Sequence, residues 1–466
     1  MEVRSHDFVS LAEIAIRDKD TQAAVTKGTN NAYNNRLNAM FMHGDEHGEA
    51  MRQQAAEAKR RALRNLPDLL GRAESNMQSN GIQVLWAADA DEANKLMLEI
   101  AERHGVESVA KSKSMVTEEI GLNHALENAG LEVVETDLGE WILQLNDETP
   151  SHIIAPVIHK TKEQVREIFI REMQMPDTDD TVKMVTFARE TLRQKFEGAD
   201  MGVTGGNFII AETGSLALVM NEGNGRMVTA LPDLHVAVVG IEKVIESVED
   251  YVTLTQVLPR SGTGQKMPVY TNLISGPSQD GDGPKDVYVI LLDNGRSEIY
   301  GTKYAEALAC IRCGACLNAC PVYRSTGGHA YGWVYGGPIG AVLTPLYIGL
   351  DRATPLPQAS TLCGSCKQVC PVDIDLPRML LDLRADIVEQ QEAPARWNNT
   401  MKLWALGNKS PRLYAFGGKA AKLGIRLGLH TKVPNPLKTW QEHRDFPGFA
   451  PKSFHELWKE RQNGQS

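Results

Sequence analysis

The first 309 residues of this 466-residue chain contain no cysteine; all seven lie between Cys310 and Cys370. A disulfide-stapled secreted protein spreads its cysteines through a small fold, and an odd number cannot all pair. Clustering of this kind points to metal instead. Long apolar runs are also missing: "AVLTPLYIGL" at 341–350 is about half of what a membrane span needs. The opening stretch, "MEVRSHDFVSLAEIAIRDKD", lacks the basic-then-apolar pattern of a secretory leader, so a cytoplasmic location is the expectation. Nor is there a basic surplus. Lys and Arg number 49 against 59 Asp and Glu, and a net charge of −10 argues against nucleic acid as the main partner. No GxGxxG follows a strand-like run, no GxxxxGK[ST] occurs and no flavin motif is visible. "SGTGQK" at 261–266 lacks the third glycine and reads as a loop. Hydride chemistry is therefore expected on another subunit.

With 42% apolar and 23% charged side chains, the chain has material for two or three soluble domains. Residues 1–75 are polar and run into a helix-like stretch, "GEAMRQQAAEAKRRALRNLPDLLGRAESNM". From 76 to 298, short apolar runs alternate with helix-length segments, the pattern of βαβ units around a parallel sheet. "IQVLWAA", "ESVAK", "LEVVETD", "SHIIAPVI" at 151–158, "LHVAVVG" and "DVYVILLDN" read as strands. Thr117 is expected to open a helix through Ile120, Ala125 and Leu126 that stops at Gly130, and Thr161 with Gln164 forms a capping box for another. "NFIIAETGSLALVMNEGNG" reads as a β-rich insertion, two strands joined by a tight turn around Gly214. The cysteine segment, 299–392, closes with a helix capped by Asp375, with Pro377 in its first turn and Leu380, Leu383 and Ile387 on one face. A basic extension follows at 393–466. Its stretch 401–440 holds eight Lys or Arg, no Asp or Glu, and the aromatics Trp404, Tyr414, Phe416 and Trp440. It reads as a surface that docks an acidic redox partner or anionic lipid or packs on the chain's own domain, or as a solvated, loosely structured extension with a basic bias.

Cys310-Ile-Arg-Cys313-Gly-Ala-Cys316-Leu-Asn-Ala-Cys320-Pro321 has the bacterial ferredoxin spacing. Three thiolates wrap one face of a cubane, and the fourth cysteine is carried off to the other cluster. A zinc site needs only four ligands and no double arrangement. Fifty residues on, Cys363, Cys366 and Cys370 repeat Cys313, Cys316 and Cys320, and Ser360 stands where Cys310 stood. Cross-ligation then gives one site Cys310, Cys313, Cys316 and Cys370, and the other Cys320, Cys363 and Cys366. Three readings of the gap stay open. The second site is a three- or four-iron cluster on three thiolates, or Ser360 ligates through oxygen, or Ser360 is a turn or cap residue touching no metal. Oxygen ligation is the hardest, because an alkoxide forms far less readily than a thiolate. Two such clusters make a one-electron wire that needs a donor and an acceptor.

Beyond the cysteines, "AKSKSMVTEEIGLN", "LGEWILQL", "PSHIIAPVIHKTKEQV", "GVTGGNFIIAETGSLALVMNEGNGR", "LPRSGTG" and the tail "FHELWKER" resemble the lactate-utilisation iron–sulfur proteins over most of the chain. The resemblance implies a helical 1–75 segment and an α/β lactate-utilisation domain at 76–298, similar in fold to sugar-isomerase and CoA-transferase domains. An α-helical ferredoxin-type domain with two iron–sulfur sites follows at 299–392, and then the small helical C-terminal extension. It further implies a 4Fe–4S cluster on Cys310, Cys313, Cys316 and Cys370, and a 4Fe–4S or 3Fe–4S cluster on Cys320, Cys363 and Cys366. The expected role is an electron-transfer subunit in the oxidation of L-lactate to pyruvate. Companion lactate-utilisation proteins and an unidentified electron acceptor would be its partners; no catalytic residue is indicated. Two other classes stay open: a stand-alone enzyme whose open iron acts as a Lewis acid on a hydroxy acid, and a redox- or metabolite-sensing module.

Weaker signals suggest a small-molecule ligand in the α/β domain. Glu212 and Glu222 sit in distinctive loops. Related CoA-transferase domains use a loop glutamate as nucleophile, whereas a carboxylate accepting backbone amides fixes a turn. Asn207, beside Gly205-Gly206, is expected to line the same pocket. Lys111 and Lys113 at a strand end read as an anion site at a sheet edge, or as solvated lysines. His152 and His159 read as packed or surface residues rather than ligands. His329, in "GGHAYGWVYGGPIG", reads first as a residue without a metal role and only second as one that tunes or remotely ligates a cluster, and the glycines there suggest close backbone approach to a cluster or partner.

Overall fold

The structure is a computed structural model that describes residues 3–390, 395–427 and 450–464. One compact unit falls within residues 1–392 and a second within 393–466.

The first unit contains β1 (Gln83–Ala87), β2 (Ser108–Lys111), β3 (Glu132–Glu135), β4 (Met201–Thr204), β5 (Phe208–Ile210), β6 (Ser215–Met220), β7 (Leu234–Gly240), β8 (Val244–Ile245), β9 (Tyr270–Ile274) and β10 (Asp286–Leu292). Six of them form a wholly parallel sheet in the order β1-β10-β7-β4-β2-β3. Strands β7 and β10 are apolar and buried almost throughout, as a parallel strand covered on both faces requires. Their side chains alternate between two cores: Val287, Val289 and Leu291 face one, Tyr288, Ile290 and Leu292 the other. The chain leaves β2 for β3 on one side and reaches β4 on the other. Such a reversal of strand order opens a crevice at the carboxyl ends. The expected insertion is a separate sheet, β8-β5-β6-β9, in which β5 and β6 pair antiparallel across the Gly214 turn.

Three helices, Lys19–Met40, Asp45–Arg64 and Leu66–Ser79, make up most of the N-terminal segment. Val25, Met40, Met51 and Leu63 from these helices share one apolar core with Cys313, Cys320, Cys366 and Cys370. The capping box of Thr161 and Gln164 starts Lys162–Met173, and Asp375 caps Leu376–Glu389, which buries Leu380, Leu383 and Ile387.

Two expectations are corrected. The helix expected from Thr117 to Gly130 is two short ones, Met115–Glu119 and Leu122–Asn128. Ser114 caps the first by accepting from the Thr117 amide, and Gly121 in a left-handed conformation separates them. Residues 151–158 form turns rather than a strand. The Ser151 amide closes onto the Pro156 carbonyl at 3.1 Å, and His152 Nδ1 accepts from the amides of Ile154 (3.2 Å) and Ala155 (3.3 Å). Amides used locally in this way have none left for a ladder.

In the second unit, helices Ala395–Asn408, Pro411–Arg426 and Phe454–Asn463 leave Leu413, Tyr414 and Phe416 exposed. Lys422 Nζ donates to the carbonyls of Ala450 (3.0 Å) and Pro451 (2.8 Å). The part of the basic stretch beyond 427, Trp440 included, lies outside the described residues. Among those described, no helix is long and apolar enough to cross a membrane.

Candidate functional site

All seven cysteines are free. The fifty-residue repeat extends from sequence to backbone. Arg312 (φ 58°) and Leu362 (φ 54°) are both left-handed, as are Gly314 (φ 74°) and Gly364 (φ 85°). Each pair leads into a short helix, Ala315–Ala319 or Ser365–Val369, that ends on an extended Cys320 or Cys370. A left-handed L residue costs about 1–2 kcal/mol, so Arg312 and Leu362 are held in place. The Arg312 amide donates to Cys310 Sγ at 3.4 Å, and the Leu362 amide donates to Ser360 Oγ at 3.1 Å. Ser360 thus accepts the turn amide in its loop, as Cys310 does in the other. Its carbonyl accepts from Arg384 Nη2 at 3.2 Å.

Cys310, Cys313, Cys316 and Cys370 surround one small cavity of about 20 Å³, closed by Ile153, Ile339, Ile374 and Leu376. The Ile374 amide points at Cys370 Sγ at 3.4 Å. Burial pushes the Cys370 thiol up to about 11. Cys320, Cys363 and Cys366 form a second group, in which, after burial, Cys363 helps to raise the Cys320 thiol and both help to raise Cys366; Cys366 also helps to raise Cys316, so the groups adjoin. Burial pushes Cys366 up to about 12, whereas Cys363 is exposed and its thiol sits below the ordinary value through the Ser365 hydroxyl and amide. Among the described residues, no three His, Cys, Asp or Glu side chains gather as a single metal ion would need. Thiols standing around an apolar void, with amides turned to sulfur, suit a multi-iron cluster, which takes the protons off as it binds.

The N-terminal helices hold this arrangement, which no sequence signal announces. Arg36 Nη2 donates to the Val369 carbonyl at 3.1 Å, and Arg52 donates to the Cys370 carbonyl through Nε (3.1 Å) and Nη2 (2.9 Å). Both guanidinium groups satisfy carbonyls at the end of Ser365–Val369, where a cation is favoured. On the other loop, His152 Nε2 donates to Asn318 Oδ1 at 3.1 Å, and Asn318 Nδ2 donates to the Gly262 carbonyl at 3.0 Å. Burial, then Lys113, lowers His152 to about 3, so a neutral imidazole fastens the first cysteine helix to the α/β layer. His152 is therefore packed, as one reading had it. His159 bonds Ser151 Oγ (2.7 Å) and Glu148 Oε2 (2.9 Å), while His329 Nε2 donates to the Thr149 carbonyl at 2.7 Å. His329 is thus tied to the 148–151 loop. The adjacent Gly328 serves the same packing: a Cβ there would stand 1.7 Å from the Ser151 carbonyl oxygen.

A larger cavity of about 360 Å³ opens at the carboxyl ends of β2, β4 and β7 and reaches the first cysteine loop. Lys113, Asn207, Glu222, Lys243, Arg312 and Cys313 are among its walls. Asn207 and Glu222 line this pocket together, as expected, whereas Glu212 does not; Lys113 lines it too, with its Nζ buried rather than solvated, and Glu222 accepts from the Leu138 amide at 3.3 Å. Glu212 is exposed and accepts from the Val248 amide at 3.0 Å, so each glutamate holds the N-terminus of a helix from elsewhere in the chain. Lys111 fits neither of its readings. It is fully buried and donates to Glu118 Oε1 at 2.8 Å and to Glu135. Sequence reasoning missed the charges behind the loop. Arg296 grips Glu119 at 2.9 and 3.0 Å and Glu242 at 2.6 Å. Burial works to raise Glu242, but Arg296, Lys243 and Arg312 outweigh it and hold the carboxyl near 2. The one hint was an arginine between the first two cysteines.

Residues 70–292 match the LUD domain, 306–374 the 4Fe-4S dicluster domain, and 384–463 the C-terminal domain of lactate utilisation protein B. Lactate utilization protein B of Bacillus cytotoxicus is 42% identical over 100% of this chain and 99% of its own. That of Geobacillus thermodenitrificans is 42% identical with the same coverage, and that of Geobacillus kaustophilus 45% over 90% of each. A crystal structure of a DUF162 family protein from Deinococcus radiodurans aligns with 49% of this chain and 98% of its own, at 16% identity and a TM-score of 0.28.

Proposed function

The chain belongs to the lactate utilisation protein B family, and from that premise we propose that it is the iron–sulfur electron-transfer subunit of a system oxidising L-lactate to pyruvate. A role in lactate utilisation follows from the family, and iron–sulfur binding from the dicluster domain. The observation that carries the finer reading is the cavity enclosed by Cys310, Cys313, Cys316 and Cys370, which draws its fourth thiol from the other loop. On this reading Cys320, Cys363 and Cys366 hold the second cluster, and Ser360 shapes its loop. Each bound cluster stores one electron at a potential set by its surroundings. The protein's own part is to bury the first site, keep the second near solvent at Cys363 and hold the two side by side. Companion proteins supply the two-electron step.

The test is anaerobic. Visible absorbance of the purified protein should bleach when L-lactate and the companion proteins are added together, and not with lactate alone. Absence of bleaching in every combination would favour a sensing module. A change at the second cluster with lactate alone would favour the open-iron enzyme.

A further inference from the structure

Two cationic residues that line the 360 Å³ cavity each have a charged nitrogen with no hydrogen-bond partner. Arg312 is 9% exposed at its side chain, yet its Nη1 has no hydrogen-bond partner. Its other contacts are long or diffuse: Tyr347 Oη at 3.5 Å from Nη2, Glu242 Oε1 at 3.7 Å, and the Tyr335 ring 4.8 Å beneath. Lys113 Nζ is likewise buried and without a hydrogen-bond partner. Contrast Arg296, which lines the same cavity but spends its guanidinium on Glu119 and Glu242. A buried donor on a charged group that makes no bond costs several times what an ordinary bond contributes. Both residues line one void at the strand-order reversal, where a bound anion would supply the acceptors these nitrogens lack.

We propose that this cavity binds a small organic carboxylate, clamped between Arg312 and Lys113 beside the first cysteine loop. The planar guanidinium suits a carboxylate, and the ammonium supplies the second point of charge. Asn207 sits on the same wall, its Oδ1 already accepting from the Val219 amide at 2.8 Å. Cys313 lines the cavity as well, so a bound acid lies against a residue of the first thiol set. The anion site rests on geometry alone. Its narrower class, a 2-hydroxy or 2-oxo acid, rests on the lactate-utilisation reading.

Calorimetric titration of the anaerobically purified full chain with L-lactate, pyruvate, acetate and inorganic phosphate tests this. Saturable binding of lactate or pyruvate is expected. Lys113→Gln and Arg312→Gln should each weaken it about tenfold or more, as loss of one charge-assisted bond requires, while Lys285→Gln, an exposed lysine outside the cavity, should not. Because Arg312 also shapes its loop, Lys113→Gln is the decisive variant, with an unchanged visible spectrum showing intact clusters. Binding should also shift the electron paramagnetic resonance of the first cluster. Phosphate binding in place of carboxylates would overturn the class. No anion binding, in protein whose clusters still bleach with lactate and companions, would overturn the site and leave the electron-transfer reading intact. Carboxylate binding without bleaching would do the reverse.

Discussion

The two cysteine loops share one backbone and live in different surroundings. Around the first, a Cβ on Gly314 would stand 3.0 Å from His152 Cε1 and 3.3 Å from Ile154, and Lys243 Nζ reaches the Cys310 carbonyl at 3.5 Å. Around the second, a Cβ on Gly364 would meet nothing within 4 Å, and Cys363 is exposed. The same turn has been enclosed by the α/β layer in one copy and left open in the other. Buried cations surround the enclosed copy: burial, then Arg312, lowers Lys243 to about 8, and burial lowers Lys59 to about 7. A duplicated loop therefore yields unlike sites, because charge and exposure set cluster potential as much as the ligands do.

Glycine substitution should separate the loops most sharply. Gly314→Ala and Gly364→Ala each pay about 1–2 kcal/mol for a left-handed L residue. Only Gly314→Ala must also displace His152, adding an overpacking cost of about 1–3 kcal/mol. Thermal unfolding under nitrogen should show the larger loss at 314; equal losses would mean the first loop is not enclosed.

Acid should act on the same side. His152 sits near 3 in the folded chain against an ordinary 6.5. Between those limits the unfolded chain binds more protons, so the stabilisation is full above the ordinary value and is lost as pH falls through the window. The melting midpoint should drop between pH 7 and pH 5, and His152→Asn should flatten that slope. The second loop, 360–370, contains no histidine, and a slope unchanged in the variant would locate the acid sensitivity elsewhere.

The smallest effect is expected at Ser360. Ser360→Ala removes one hydrogen bond to the Leu362 amide and should cost about 1 kcal/mol, with iron per chain unchanged. Loss of iron would instead make Ser360 a ligand. Ser360→Cys keeps the acceptor and adds a thiol, so it should alter the signal of the second cluster and leave the first alone.

How much of this was legible depends on whether a signal was local. The capping box at Thr161, the turn at Gly214 and the Asp375 cap each involve neighbours in sequence, and each was read correctly. The cysteine repeat exposed the register that relates Ser360 to Cys310, but the shared bonding to the next-but-one amide appears only in three dimensions. Residues 151–158 misled because apolar β-branched content says strand, while His152 withdraws the amides a strand would need. Strand β9 went unread because it lies among glycine and proline and is never fully buried. The grip of Arg36 and Arg52 on the second loop spans more than 300 residues, and nothing in either segment predicts it. Lys111 looked like its neighbour Lys113, yet only Lys113 is left without a bond.

The central claim is that Cys370, carried on the second loop, completes the site of the first. Electron paramagnetic resonance of reduced Cys370→Ser, compared with Cys313→Ser and Cys363→Ser, tests it directly. Cys370→Ser and Cys313→Ser should erase the same signal and keep the one that Cys363→Ser removes. If Cys370→Ser erases the Cys363 signal instead, each loop serves its own cluster and the crossed arrangement is wrong.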